Sequence, residues 1–400
     1  MTLSTFLGLE TALRGLLVHQ RALDVTAHNI ANANTLGYTR QRAELRETPP
    51  YDEVGVAGGL GTGVDVIAYS RARDAFIDTQ VRAQRMLVAY HQARQDGLRQ
   101  VELSLSEPSD NGLSALLSRF WSAWQDVATT PESLATRQAL VQAGIALAGG
   151  FQSLRGQLDT VASQAQDAAS LTIGELNDVV AEIAALDGQI TTMVASGLAP
   201  NNDFLDRRDL LLDRLSSLVN VTKTDEPDGS VTLKVGAFTL LQGGVQTTVS
   251  AVSDLGGDLV SGKLAGLVAL EQAIAGSGGY VERLDAVAAS LIQAVNAIQL
   301  AGYTLSGTAA SGPFFVGSSA ADIAVDSALA TDPRLVAAAS QPSQPGNGEN
   351  ALAAANLRGQ AAVDGAYAAL VASIGSDAQD AIRSAANAKV LADALENRRD

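Results

Sequence analysis

Residues 6–30 place the tightest constraint on what this chain can fold into. Phe6, Leu9, Leu13, Leu16, Gln20, Leu23, Ala27 and Ile30 recur at alternating steps of three and four. That spacing is a heptad seam with one polar member, Gln20. Ser4 stands where an N-cap belongs. A stripe this narrow wants a partner helix rather than a broad core, although Leu17 and Val18 widen it. The seam runs into NIANANTLGYTRQ, residues 29–41. Asn32 and Asn34 are poor helix formers because their short amides compete for backbone hydrogen bonds. Gly37 takes positive φ at no steric cost. The helix is expected to end there, with a sharp turn.

Composition supports long helices. Of the 400 residues, 46% are hydrophobic and only 4% aromatic, so Ala, Leu, Val and Gly supply most of the packing. The length allows two or three domains. The net charge of −16 is uneven: residues 1–100 hold 11 Lys+Arg against 10 Asp+Glu, the rest 16 against 33. An acidic body argues against nucleic acid as a partner. The absence of cysteine excludes disulfides, thiolate nucleophiles and Cys-ligated metals. The first residues lack a basic n-region and a small-residue cleavage site, so no cleavable secretory signal is expected. No uninterrupted apolar run reaches the length of a membrane span.

The pattern predicts a mainly α chain: an elongated helical bundle and coiled-coil body from N- and C-terminal segments, with a small inserted β-rich module. Residues 1–45 form the first helix and its turn. Residues 46–70 are an irregular connector, excluded from helix by Pro49 and Pro50 and loosened by Gly58, Gly59, Gly61 and Gly63. Residues 71–220 read as a long-helix bundle, with Phe76, Phe120, Trp121 and Trp124 as its core. Thr130-Pro131 opens the longest helical stretch, to about Ser196. Unbroken, it would span roughly 95 Å, although Gly149-Gly150 can divide it. Residues 221–258 show strand alternation around a Pro227-Asp228-Gly229 hairpin turn. Residues 259–349 combine helix with loops. Residues 350–400 form an Ala-rich helix with a second seam.

Catalytic chemistry is not visible. His19, His28 and His91 lie far apart, and neither HExxH nor GxSxG occurs. The glycine cluster at 58–63 fits no phosphate cradle. Asp206 and Asp209, with Arg207 and Arg208 beside them, read as surface ion pairing. Asp225, Glu226 and Asp228 lack calcium-loop spacing. No cofactor or metal is expected.

Four stretches carry a resemblance. NIANANTLGYTRQ after an amphipathic helix resembles the signature of bacterial flagellar axial proteins, the rod, hook and hook-associated family. Residues 61–84, with Arg71, Asp74, Phe76, Gln80 and Arg82, are similar to the segment that follows in the hook-associated branch at the hook–filament junction. NDFLDRRDLLLDRLSSLV at 202–219 and LDAVAASLIQAVNAIQLAGY at 284–303, with GPFF after it, complete the order. The resemblance implies a structural adaptor, not an enzyme, exported unfolded by the flagellar type III apparatus to the extracellular flagellum. Its implied partners are the hook protein, the next junction protein, sister subunits in a ring, and the export apparatus with an export chaperone. Nucleic acid and membrane are not among them. Asn29, Asn32, Asn34, Thr35, Gly37, Tyr38 and Arg40 match the signature and are expected to serve assembly. The family continues past Asn397-Arg398-Arg399 into a final helix, which this sequence does not show, so weak or absent ring assembly is expected of the isolated chain. The alternatives are another axial subunit of hook or distal rod, or a secreted enzyme or adhesin with its site in Val221–Val252.

Overall fold

The computed structural model describes residues 6–51 and 59–399; Ser4, Gly58 and Asp400 lie outside the described residues. The elements in chain order are α1 (Leu7–Ala31), β1 (Gln41–Glu47), β2 (Val64–Arg71), α2 (Ala75–Leu105), α3 (Leu113–Thr129), α4 (Leu134–Ala195) and α5 (Asn202–Leu218). Four strands follow, β3 (Thr222–Asp225), β4 (Val231–Val235), β5 (Phe238–Gln242) and β6 (Val245–Gln246). Then come α6 (Val252–Leu255), α7 (Lys263–Ala275), α8 (Tyr280–Ala301), β7 (Phe315–Val316), β8 (Ala324–Val325), α9 (Ser327–Thr331), α10 (Glu349–Ala355) and α11 (Ala366–Arg399). The fold is mainly α with small antiparallel sheets.

The chain divides into two compact units. One gathers Met1–Leu87, Ile173–Gly262 and Lys389–Asp400; the other gathers Val88–Thr172 and Lys263–Ala388. The division falls inside α2, α4 and α11, so the 71–220 stretch read as one bundle contributes to both. The first unit holds the antiparallel β1–β2 ribbon, in register from Gln41↔Arg71 to Glu47↔Val64 with a bulge at Glu44/Leu45. Of the stretch expected to be an irregular connector, residues 46–47 and 64–70 are paired strand, and Tyr51 bridges Leu60. This unit also holds the sheet of order β3-β4-β5-β6. The β3–β4 hairpin closes at the predicted turn, with Glu226 N–H donating to Ser230 O and Gly229 at φ +86°. Val231, Leu233, Val235, Leu240 and Leu241 bury the inner side of this sheet.

The second unit is built around α3. Its buried stripe, Leu113, Leu117, Phe120, Trp121, Trp124 and Val127, recurs at helical spacing. Phe120 and Trp124 meet Phe314 with ring centroids 5.6 and 5.4 Å apart, and Phe120 meets Phe315 at 5.5 Å. Such pairs add about 0.5–1.5 kcal/mol each beyond area burial. Phe76 does not belong to this core. It is 69% exposed in the first turn of α2, where its N–H is capped by Asp74. α4 runs through Gly149-Gly150 without a break. A Cβ at Gly150 would stand 2.6 Å from the Leu116 methyl group, so this glycine buys close helix packing rather than a bend. α4 starts at Leu134, not Pro131, because residues 130–133 form a turn. By length and composition alone Lys263–Ala301 could span a membrane. The Gly276–Gly279 turn splits it into α7 and α8, whose Leu270, Leu284, Leu291 and Val295 join the core.

Three helix asparagines fix distant backbone by the same device. Asn177 pairs with both the N–H and the C=O of Val249. Asn296 does this for Phe315 and also accepts from Phe314 N–H. Asn29 is the third, described below. Arg137 adds a charged clamp: buried, it donates to Pro131 O at 2.6 Å and Val336 O at 2.5 Å. Burial lowers its pKa to about 10, so it stays protonated at neutral pH. Arg137→Ala leaves a cavity and two stranded carbonyls. Denaturant unfolding is expected to show a loss of about 3–5 kcal/mol in the second unit.

Candidate functional site

The first unit contains the seam, the signature turn and an ion-pair network that joins three of the four resemblance stretches. α1 buries only Val18. Its seam lies in solvent: Phe6, Leu9, Leu13, Leu16, Leu23 and Ile30 are 69, 66, 55, 64, 69 and 73% exposed. From Leu9 to Ile30 these apolar residues lie along one exposed face of the helix.

The turn after α1 is held from both sides. Asn29 Nδ2 donates to Gln41 O at 2.8 Å, and its Oδ1 accepts from Gln41 N–H at 2.9 Å and from Tyr38 Oη–H at 2.7 Å. His28 Nδ1 lies 3.0 Å from Tyr38 Oη. The single phenolic proton is used on Asn29, so His28 Nδ1 must carry the donor hydrogen. Asn32 donates to His28 O and accepts from Thr35 Oγ1. Gly37 adopts φ +82°, with Leu210 3.3 Å from where a Cβ would sit. Five expected signature residues therefore meet: Asn29, Asn32, Thr35, Gly37 and Tyr38. Asn34 and Arg40 are exposed; Arg40 contributes its carbonyl, which accepts from Ala72 N–H.

Asp206 ties this turn to α5 by accepting from Thr39 N–H at 3.0 Å. The pairs read as surface decoration are therefore interior. Asp206, Arg208, Asp209 and Asp213 are each at least nine-tenths buried, because this stripe of α5 faces basic residues far away in sequence. Arg71 bridges Asp206 and Asp209 at 2.9 and 2.7 Å. Arg73 joins Asp78 at 2.5 Å and Asp209 at 3.4 Å. Arg82 spans Asp209 and Asp213 at 3.0 and 2.8 Å. Arg85 links Asp213 to Glu396, and Arg399 also reaches Asp213. Five arginines thus meet five carboxylates. Separately, Arg208 pairs with the buried Asp187, which also accepts from Val231 N–H.

Burial would raise the Asp209 pKa, but Arg73, Arg71 and Arg82 outweigh it and hold the carboxyl below its usual range. Tyr38 is pushed up by burial and by Asp206 and Asp203. A cavity of 620 Å³ opens beside the network, lined by Arg71, Arg73, Arg82, Met86, Lys223 and Asp225 among others. Lys223 is itself paired with Asp225, so the cavity offers ion pairs rather than a free base or nucleophile. Among the described residues no group of three His, Asp or Glu is placed to hold a metal. Arg73 and Glu396, and on matching helix stripes Asp78, Arg85 and Asp213, are the contributors that sequence reasoning missed. Their signal was present as matching stripes: Asp206, Asp209 and Asp213 at steps of three and four, against Asp78, Arg82 and Arg85 at the same steps.

Comparison with known proteins adds an independent line. Residues 98–315 match the family described as flagellar hook-associated protein FlgK helical domain, and residues 9–39 match flagella basal body rod protein. The chain is 38% identical to flagellar hook-associated protein 1 of Bacillus subtilis (strain 168) over 223 residues, 54% of this chain and 44% of that protein. It is 31% identical to the protein of the same name from Salmonella typhimurium over 244 residues, 60% of this chain and 43% of that one. The chain thus spans less than half the length of the curated relatives it matches. The solved flagellar hook junction protein FlgK from Burkholderia pseudomallei shares the fold at TM-score 0.51 and 20% identity, over 59% of this chain and 46% of that one.

Two outcomes are expected of the site. Asn29→Ala removes three bonds from the turn. Hydrogen exchange at the Gln41 amide should rise, with about 1–3 kcal/mol lost locally. Asp209→Asn takes one of two carboxylate partners from each of Arg71, Arg73 and Arg82 and should cost the first unit about 3–5 kcal/mol. The folded pKa of Asp209 lies below its unfolded value. Its stabilisation is therefore complete above the ordinary carboxylate range and is lost as pH falls through the folded value. Acid titration followed by hydrogen exchange should show that loss below about pH 4 in the parent, and a smaller one in Asp209→Asn.

Proposed function

The chain belongs to the flagellar hook-associated protein FlgK family, and on that premise we propose that it is a structural adaptor of the hook–filament junction, outside the cell. The observation that carries this reading is the exposed stretch of the α1 seam from Leu9 to Ile30, joined to a turn that is bonded to α5 of the same unit. A helix that buries one of its twenty-five residues among the described residues presents its Leu9–Ile30 apolar face for packing against other helices. Those helices belong to sister copies around a ring, with the hook protein on one side and the next junction protein on the other. The chain reaches the site through the flagellar export apparatus. Its paired interior charges suit a scaffold and supply no catalytic step.

A second axial reading, a hook or rod subunit, draws on the match of residues 9–39 to basal body rod protein. The longer match at 98–315 favours the junction. Immunolocalisation separates them: label confined to the hook tip supports the junction, and label along the hook supports the alternative.

A deletion strain is expected to make intact hooks, lack filaments and release flagellin monomers into the medium; hooks bearing full filaments would sink the proposal. Leu16→Asp, at a residue 64% exposed, should leave stability within about 0.5 kcal/mol of the parent. The same variant is expected to fail to restore swimming to the deletion strain, scored on soft agar.

A further inference from the structure

The chain contains two Asn-Gly pairs, Asn111–Gly112 and Asn347–Gly348, and the fold treats them in opposite ways. We propose that Asn111 is a site of spontaneous covalent modification, losing its carboxamide to attack by the Gly112 backbone nitrogen, while Asn347 is protected. Glycine after asparagine leaves the attacking nitrogen unshielded by a Cβ. At 112 the glycine lies close to the Glu107 carboxylate: a Cβ there would stand 2.6 Å from the carboxyl carbon, and that side chain would have to move. That carboxylate accepts from Ser114 N–H at 2.9 Å, in the first turn of α3, and from Tyr367 Oη–H at 3.2 Å. The reactive pair therefore sits against the carboxylate that caps the start of α3.

The two asparagines differ in their own hold. Asn111 is exposed, and its carboxamide makes no hydrogen bond among the described residues. Gly112 N–H has one long bond, to Ser109 O at 3.2 Å. Asn347 Oδ1 is gripped by three donors: Ser340 N–H at 3.1 Å, Ser340 Oγ–H at 3.3 Å and Glu349 N–H at 3.0 Å. These three bonds hold the Asn347 carboxamide in one orientation, which the free Asn111 side chain lacks.

The reaction balances without an oxidant or reductant. The Gly112 nitrogen gives up its proton and bonds to Asn111 Cγ, and the side-chain nitrogen leaves as ammonia. Water then opens the five-membered imide at either carbonyl, giving aspartate or isoaspartate. Isoaspartate inserts one methylene into the backbone ahead of Gly112. It shifts Gly112 against Glu107 and places a second carboxylate beside it, which loosens the first turn of α3.

The test is to age the folded full chain at mildly alkaline pH and follow both sites by tryptic peptide mass spectrometry. An isoaspartyl methyltransferase assay detects the isomer. Cleavage after Arg99 and Arg119 isolates Asn111. In the folded chain Asn111 is expected to react at least about tenfold faster than Asn347, a barrier difference of about 1.4 kcal/mol. In denaturant the two rates should converge, since the difference comes from the fold. Ageing should raise amide exchange at residues 113–117 in the parent and leave Asn111→Gln unchanged. Equal rates in the folded chain, a ratio that persists in denaturant, or a stable Asn111 would each overturn the proposal.

Discussion

The first unit depends on one buried carboxylate, Asp209, and the three guanidinium groups that converge on it. Three segments distant in the chain end at this residue: the end of the β1–β2 ribbon through Arg71, the entry to α2 through Arg73, and α2 itself through Arg82. Taking so many charges out of water is expensive, and the expense is met only when every partner is in place. That makes the network a test of register rather than a source of net stability. A hydrophobic cluster of the same volume would tolerate sliding. A chain of alternating charges does not, because a shift of one helical step sets like charges against each other. Asp206 extends the same demand to the turn after α1.

The two units solve the problem of low aromatic content differently. The second concentrates Phe120, Trp121, Trp124, Phe314 and Phe315 in one cluster and packs helices closely at glycines such as Gly150. The first shows no such cluster among its described residues and relies on ion pairs whose geometry is fixed by planar guanidinium forks. Both work because Ala and Leu faces bring helices close enough for short bonds to form.

Much of this was legible in the sequence. The seam, the stop after Ile30, the hairpin at Pro227-Asp228-Gly229 and the tryptophan helix follow from periodicity and turn chemistry, which are local. The order of four motifs pointed to the family. What was not legible is long-range. Asp206 and Asp209 look like surface charges because their neighbours in sequence, Arg207 and Arg208, offer an easy pairing; their true partners lie more than a hundred residues away. Phe76 misled for the converse reason: an aromatic residue at helical spacing promises a core, but at the first turn of α2 it is exposed. Gly149-Gly150 promised a break that packing overrode. Each failure is a place where tertiary context decides between local options of similar energy.

The asparagines at 29, 177 and 296 have a consequence for how freely their targets can change. A carboxamide carries one donor and one acceptor at the spacing of a peptide unit, so each grips a main chain and ignores the side chain attached to it. Gln41, Val249 and Phe315 are dissimilar residues held by the same handshake. Substitution at the gripped residue keeps the loop anchored, whereas the gripping residue is chemically single-valued: aspartate loses the donor and glutamine overshoots. Tolerance and constraint are thereby assigned to opposite ends of one contact.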